Sequence, residues 1–189
     1  LAPYLPIPTT TESVDIPVDA AGQPYFGPSL SHPFGLDKIG KDVFSLTLYG
    51  GRVSLLVGFV AVSVGMVIGG TMGIFAGYLR GKVDTVLSIF FDTFLAIPAI
   101  ILALALVAAF DPADPDLVNP TRRIFVLAGA LGVVSIPVLG RIARASTLAV
   151  ADREFVTAAK AMGAKPLRIM WREILRNVLP SMLVIGLLG

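Results

Sequence analysis

The chain has 189 residues, of which 55% are hydrophobic and only 15% charged, and its mean hydropathy is +0.82. This composition excludes a disordered chain and an ordinary soluble domain, because the apolar residues form long uninterrupted blocks rather than short periodic stripes. A net charge of +2, spread along the chain without a basic face, argues against a nucleic-acid partner. The lack of cysteine excludes thiolate chemistry, and a single histidine disfavours a histidine-built metal site.

Residues 1–51 are predicted to form an extracytoplasmic loop and the entry to the first membrane span. The stretch from Leu1 to Pro33 is rich in proline, threonine and small residues and has little periodicity, which is typical of an irregular loop. The chain begins with Leu1 rather than Met, and it stops at Gly189 inside an apolar run. We therefore expect a fragment that is incomplete at both ends.

Residues 52–189 are predicted to form an all-α, polytopic membrane helical bundle. The uncharged stretch 53–79 would reach roughly 40 Å as a helix, which exceeds a ~30 Å hydrocarbon core. Pro98 predicts a kink in the second span. The spans are expected at about 53–79, 83–110, 124–140 and 178–189, the last of them truncated.

The basic residues indicate which ends of the spans face the cytoplasm. Eight of the fifteen Lys and Arg residues fall in the segment 141–177, and Arg80 and Lys82 lie between the first two spans. Because basic residues are retained on the cytoplasmic side, these two connections are predicted to be cytoplasmic. The connection from Asp111 to Arg123 then lies outside, and the chain is a multi-pass protein of the cell membrane.

Small residues recur every fourth position along the first span, and they are predicted to form one groove that another helix can approach closely. The groove has two interpretations: packing within the subunit, or a subunit interface or moving contact. Its members are Ala61, Gly65, Gly69, Gly73 and Gly77.

Two carboxylates, Asp84 and Asp92, lie within the second predicted span. Ionisable residues in lipid are functional candidates, and an ion-coupled carrier with Asp92 as its protonatable site is therefore an alternative function. Both residues also lie near the start of a helix, where negative charge suits the helix dipole, so a structural role is the other interpretation. An intramembrane enzyme is disfavoured because His32, the one histidine, lies in the outer segment.

The segment 141–177 is longer than a turn between spans requires, which indicates a role outside the bilayer. Asp152 is a plausible N-cap for a short helix that Gly163 would end. Apolar residues at helical spacing would form a narrow stripe on this helix, suited to docking in a groove of a partner protein, although packing on the chain's own helices or on lipid fits the pattern as well. The stripe comprises Phe155, Ala158, Ala159 and Met162.

A second helix is predicted from Pro166, with apolar and basic residues on opposite sides, lying at the membrane surface before it enters the bilayer. Its apolar side comprises Leu167, Met170, Ile174 and Val178, and its basic side Arg168, Arg172 and Arg176.

The run Glu154-Phe-Val-Thr-Ala-Ala-Lys-Ala-Met-Gly163 resembles the EAA signature of permease subunits in bacterial ABC importers. The runs His32-Pro-Phe-Gly-Leu-Asp37 and Tyr49-Gly-Gly-Arg-Val-Ser-Leu55 are similar to the second permease of dipeptide, oligopeptide and nickel importers. Gly40-Lys-Asp-Val43, Gly77-Tyr78 and Gly81-Lys-Val-Asp84 extend the likeness. Thr157 departs from the signature, where Glu is usual, and Arg176 stands where Pro commonly follows Ile-Leu.

This resemblance implies the type I ABC importer permease fold and a transmembrane permease subunit, not itself an enzyme, that imports di- or oligopeptides, with nickel or glutathione as alternative cargo. It implies four partners: ATP-binding subunits, a second homologous permease, an extracytoplasmic substrate-binding protein and membrane lipid. ATP and Mg would be held by the ATPase subunit, and this chain is expected to need no cofactor or metal. The coupling helix that docks on that subunit would comprise Glu154, Phe155, Ala158, Ala159, Met162 and Gly163.

Overall fold

The computed structural model describes residues 16–18, 24–110 and 120–188. Most of the irregular loop predicted for the first 33 residues, and most of the outer connection from Asp111 to Arg123, lie outside the described residues. Within them the chain is helical, with isolated β-bridges and no strand. The α-helices are α1 (Val43–Val64), α2 (Gly70–Leu79), α3 (Gly81–Leu95), α4 (Ala99–Phe110), α5 (Pro120–Ala151), α6 (Glu154–Ala161), α7 (Pro166–Ile169) and α8 (Leu175–Leu188).

The chain divides into two compact units between Leu56 and Val57, inside α1. In the first unit, Asp42 caps α1. Its Oδ2 accepts hydrogen bonds from the Ser45 backbone N–H at 2.9 Å and from the Ser45 hydroxyl at 2.6 Å. His32 Nδ1 lies 3.4 Å from the other carboxylate oxygen. This cap starts the helix ten residues before the predicted span, whose start had been placed after the charge of Arg52.

Two helical stretches of the described residues are long and apolar enough to cross a membrane. One is Val43–Leu79, in which a π-helical segment, Gly65–Gly69, joins α1 to α2. The other is Thr121–Ala151. The sequence predicted that this span ends at Gly140, but the helix continues for another three turns, to Ala151. The two charged residues in that part, Arg141 and Arg144, pair with aspartates of α3.

The predicted span 83–110 is broken rather than merely kinked at Pro98. Helices α3 and α4 meet at an angle of 85°. Only the two helices together are long and apolar enough to form a third membrane span. The helix predicted from Pro166 is confirmed, since α7, a second π-helical segment (Met170–Ile174) and α8 run on continuously from that residue. This run contains the fourth predicted span, from Val178, but it is not among the helices of the described residues that are long and apolar enough to cross a membrane.

Candidate docking site

Helix α6 stands apart from the long helices as a short segment between two turns. Its N-cap is Arg153, whose carbonyl accepts hydrogen bonds from the N–H groups of Val156 at 3.0 Å and Thr157 at 3.2 Å. The sequence predicted Asp152 as the cap, and this was wrong. The Asp152 carboxylate instead accepts a hydrogen bond from Arg80 Nη2 at 2.6 Å, which connects the turn before α6 to the end of α2.

The C-terminus of α6 is closed by backbone hydrogen bonds around Gly163. The N–H of Ala164 donates to the Ala159 carbonyl at 3.1 Å, and the N–H of Gly163 donates to the Lys160 carbonyl at 2.9 Å. This is the Schellman pattern, which needs a residue at positive φ, and Gly163 has φ +79°. The prediction that Gly163 ends the helix is confirmed.

The predicted apolar stripe of α6 is divided between two faces. Ala159 is only 8% exposed and, with the fully buried Val156, packs in a cluster that includes Ile74 of α2 and Ile169 of α7. The sequence analysis placed Ala159 on the docking face and did not include Val156 in either face. The structure buries both residues, so the exposed apolar face of α6 is narrower than predicted and excludes Ala159.

The outward face of α6 comprises the other members of the predicted set. Met162 is 82% exposed and Phe155 38% exposed, and Glu154, Ala158 and Gly163 are also exposed. Because Phe155, Ala158 and Met162 are spaced by three and four residues, they follow one side of the helix and its C-cap. An apolar strip on a helix whose other face is already packed is a surface that a partner can cover.

Contacts at its rim attach α6 to the end of α2. Lys160 Nζ lies 5.2 Å from the centre of the Tyr78 ring, a cation–π contact worth about 0.5–1 kcal/mol at an exposed site. The Arg80–Asp152 pair is exposed and contributes little to stability by itself. Arg80 adopts φ +55°, which is unusual for a residue with a side chain. Because these contacts are exposed, the packed inner face of α6 provides most of its attachment.

The predicted groove of small residues is filled by α5. A Cβ on Gly69 would overlap the Ile136 carbonyl oxygen, and one on Gly73 would overlap the Gly140 carbonyl oxygen. Further along, Gly65 faces Ser135 and Gly77 faces Thr147, while Ala61 is buried on the same helix. The structure thus places this groove in packing within the chain.

The two membrane carboxylates both pair with arginines of α5. Asp84 binds Arg144 through two hydrogen bonds, of which the Nη2–Oδ2 bond measures 2.7 Å, and Asp92 binds Arg141. These pairs hold α3 against the part of α5 that extends beyond the predicted third span. Among the described residues, no cluster of His, Asp and Glu side chains could hold a metal ion.

Together these features define an all-helical, multi-pass membrane protein that presents a short amphipathic helix at one end of its bundle. Residues 69–188 match the family described as "binding-protein-dependent transport system inner membrane component". Since this match covers more than half of the chain, the chain belongs to that family.

Curated relatives carry the names of peptide transport permeases. The chain is 40% identical over 163 residues to a dipeptide transport system permease protein of Alkalihalophilus pseudofirmus, covering 86% of this chain and 50% of that protein. It is 36% identical over 158 residues to a glutathione transport system permease protein of Pectobacterium atrosepticum (84% and 49%). It is 34% identical over 184 residues to a dipeptide transport system permease protein of Haemophilus influenzae (97% and 59%). The chain thus spans about half the length of the curated relatives it matches.

Proposed function

We propose that this chain is part of the permease subunit of an ATP-driven importer of short peptides, and that α6 docks on the ATP-hydrolysing subunit. The docking proposal is supported by the two faces of α6: the inner face is packed, whereas the outer face is an exposed apolar strip, which comprises Phe155, Ala158 and Met162. The names of the relatives, which specify dipeptides and glutathione, support a peptide cargo.

The inner face of α6 gives a route by which a push on the helix would reach the bundle. Val156 and Ala159 are packed in the same cluster as Ile74 of α2, Ala143 of α5 and Ile169 of α7. A close-packed interior transmits displacement rather than absorbing it. The docked strip then has to contact the ATPase subunit differently in the two states of the transport cycle, because a partner shifts an equilibrium only through such a difference.

The nucleotide and its magnesium are assigned to the partner subunit. The 189 residues contain no Gly-x4-Gly-Lys-Ser/Thr phosphate loop, which supports the proposal that a separate ATPase subunit binds the nucleotide. The family is described as binding-protein-dependent, which supports delivery of cargo by an extracytoplasmic substrate-binding protein. A second, homologous permease would complete the pathway.

An ion-coupled carrier based on Asp92 is the weaker hypothesis. Asp92 is paired with Arg141, which favours a structural role for this carboxylate, and the chain belongs to a binding-protein-dependent transport family. Uptake of a dipeptide into membrane vesicles that retain ATP, measured after the proton gradient is collapsed, separates the two functions. We expect uptake to persist, and its loss would favour the carrier.

The docking claim is tested by placing a charge on the outer strip. In the full-length permease, Met162→Glu should abolish co-purification of the ATPase subunit, because a carboxylate would be buried without a partner in an apolar contact. Leu30→Glu is the matched control, because Leu30 is also a highly exposed apolar side chain but lies outside α6, and it should leave co-purification unchanged. Undiminished recovery of the ATPase subunit with Met162→Glu would remove α6 from the docking surface.

A further inference from the structure

The helical run from Pro166 to Leu188 carries a row of arginines on the side opposite its buried residues. Arg168, Arg172 and Arg176, which we call the arginine row, are all exposed. The buried side of the same run comprises Ile169, Met170, Ile174, Val178 and Met182.

The π-helical segment from Met170 to Ile174 aligns this row. An α-helix has 3.6 residues per turn, so positions four apart drift around the axis. The i→i+5 hydrogen bonds of a π-turn widen the local repeat, so that a spacing of four residues comes closer to one full turn. The three arginines therefore stay on one face while the buried side chains stay on the other.

These arginines lack ion-pair partners in the described part of the chain, unlike three other arginines of the bundle. Arg80, Arg141 and Arg144 are each paired with an aspartate. Glu173, beside the row, forms no ion pair with it among the described residues. Lys165 is likewise exposed and unpaired there, which brings the free cations to four within twelve residues.

The face that carries the row becomes apolar further along the helix. Leu179 is 39% exposed and Leu183 43% exposed on the continuation of the same side, within α8. Trp171 is 52% exposed beside Arg172. Basic residues that give way to exposed leucines, with a tryptophan at the transition, match the order of layers in a bilayer from headgroup to acyl chain.

From this arrangement we infer that the arginine row is a binding site for the phosphate headgroups of anionic membrane phospholipids. Arginine presents a planar fork of donors that fits phosphate oxygens, and the neighbouring leucines would lie along the acyl chains of the same lipid. The inference goes beyond the proposed function and does not depend on α6, since none of these residues belongs to the docking strip.

The chain's single tryptophan, Trp171, provides the measurement. The assembled importer with its full-length permease is placed in bilayers of equal parts phosphatidylglycerol and phosphatidylcholine, with brominated acyl chains on one lipid or the other. Trp171 emission is obtained as the difference between the unmodified importer and Trp171→Phe. We expect brominated phosphatidylglycerol to quench this emission more strongly than brominated phosphatidylcholine. Each arginine that binds a headgroup should enrich phosphatidylglycerol over phosphatidylcholine beside Trp171 by about fivefold. Equal quenching by the two lipids would overturn the inference, and this result needs no substitution of the three arginines.

Variants then assign the preference to the row. Replacing all three arginines by glutamine should bring the quenching ratio to one, whereas replacing them by lysine should retain a reduced preference. The matched control removes the same three charges elsewhere, through Lys38→Gln, Lys41→Gln and Arg52→Gln, and should keep the preference. If the glutamine variant instead loses the ATPase subunit while the lipid preference is unchanged, the row is a protein contact and the lipid inference is wrong.

Discussion

The guanidinium of Arg144 on α5 donates two hydrogen bonds to the carboxylate of Asp84 on α3. The side chains are only 33% and 20% exposed, so each would be left poorly solvated without the other. We expect Asp84→Asn to lower the free energy of unfolding of the full-length permease by about 1–3 kcal/mol, because it leaves the arginine charge without a counter-ion. Unfolding in mixed detergent micelles measures this change.

The matched control for that prediction is Asp152→Asn, which breaks the Arg80 pair. Those side chains are 49% and 70% exposed, and exposed pairs contribute roughly 0–1 kcal/mol. Equal destabilisation by the two substitutions would show that burial does not distinguish the pairs.

A methyl group at Gly73 should separate two helices. Because a Cβ there would overlap the Gly140 carbonyl oxygen, Gly73→Ala should destabilise the permease by about 1–3 kcal/mol. The same measurement on Gly58→Ala provides the comparison, since a Cβ at Gly58 meets nothing within 4 Å and alanine favours a helix. A Gly73→Ala protein as stable as Gly58→Ala would contradict the close approach.

Ala159→Asp is expected to remove the folded permease from the membrane rather than only release its ATPase subunit. The side chain lies in the interior cluster, where an unpaired carboxylate costs several kcal/mol. Fluorescence-detected size-exclusion chromatography of a tagged permease measures the folded fraction. Met162→Asp, on the open face, should give a normal elution profile, and a normal profile for both would mean that Ala159 is not buried.

The cap at the start of α1 should respond to acid. Burial raises the pKa of Asp42, but the hydrogen bonds from Ser45 and the nearby His32 outweigh it, and the pKa lies below its ordinary value of 3.8. A depressed pKa in the folded state stabilises the cap fully above pH 3.8, and this contribution is lost as the pH falls through the folded value. Peptic cleavage within residues 24–42 should therefore accelerate on acidification below that pH.

The control for this pH dependence is Asp42→Asn. It keeps a capping side chain but removes the titrating group, so it should abolish the acceleration that is specific to this cap. Retention of the full pH response in Asp42→Asn would assign the effect to another group.

Gly163 allows a test of backbone conformation alone. Its φ is +79°, and a Cβ there would meet nothing within 4 Å, so Gly163→Ala should cost about 1 kcal/mol through strain without a clash. Asparagine tolerates this region better, and Gly163→Asn should be milder. Thermal unfolding of the two variants measures the difference, and equal effects would argue against the strain.

Hydropathy predicted the bodies of the long helices, but it could not predict where they end. The third span appeared to stop at Gly140 because Arg141 and Arg144 follow, and only the folded chain brings Asp92 and Asp84 to them. The cap that extends α1 back to Val43 likewise depends on the Asp42 side chain, which accepts hydrogen bonds from the backbone and the hydroxyl of Ser45, and a hydropathy average does not detect such a contact.

The site was predicted in outline because Gly163 and Pro166 are strong local signals for the end and the start of a helix. The direction in which α6 faces was predicted less well. Val156 lies beside Phe155 in sequence, and which of the two is buried depends on how the turn at Arg153 sets the helix against α2 and α7. The π-helical segments have no comparable local signal.

The glycines of α2 bring its backbone directly against that of α5, with few side chains between them that could change rotamer. We expect two helices in such close backbone contact to move as one rigid body, because sliding either along the other would bring their peptide groups into steric overlap.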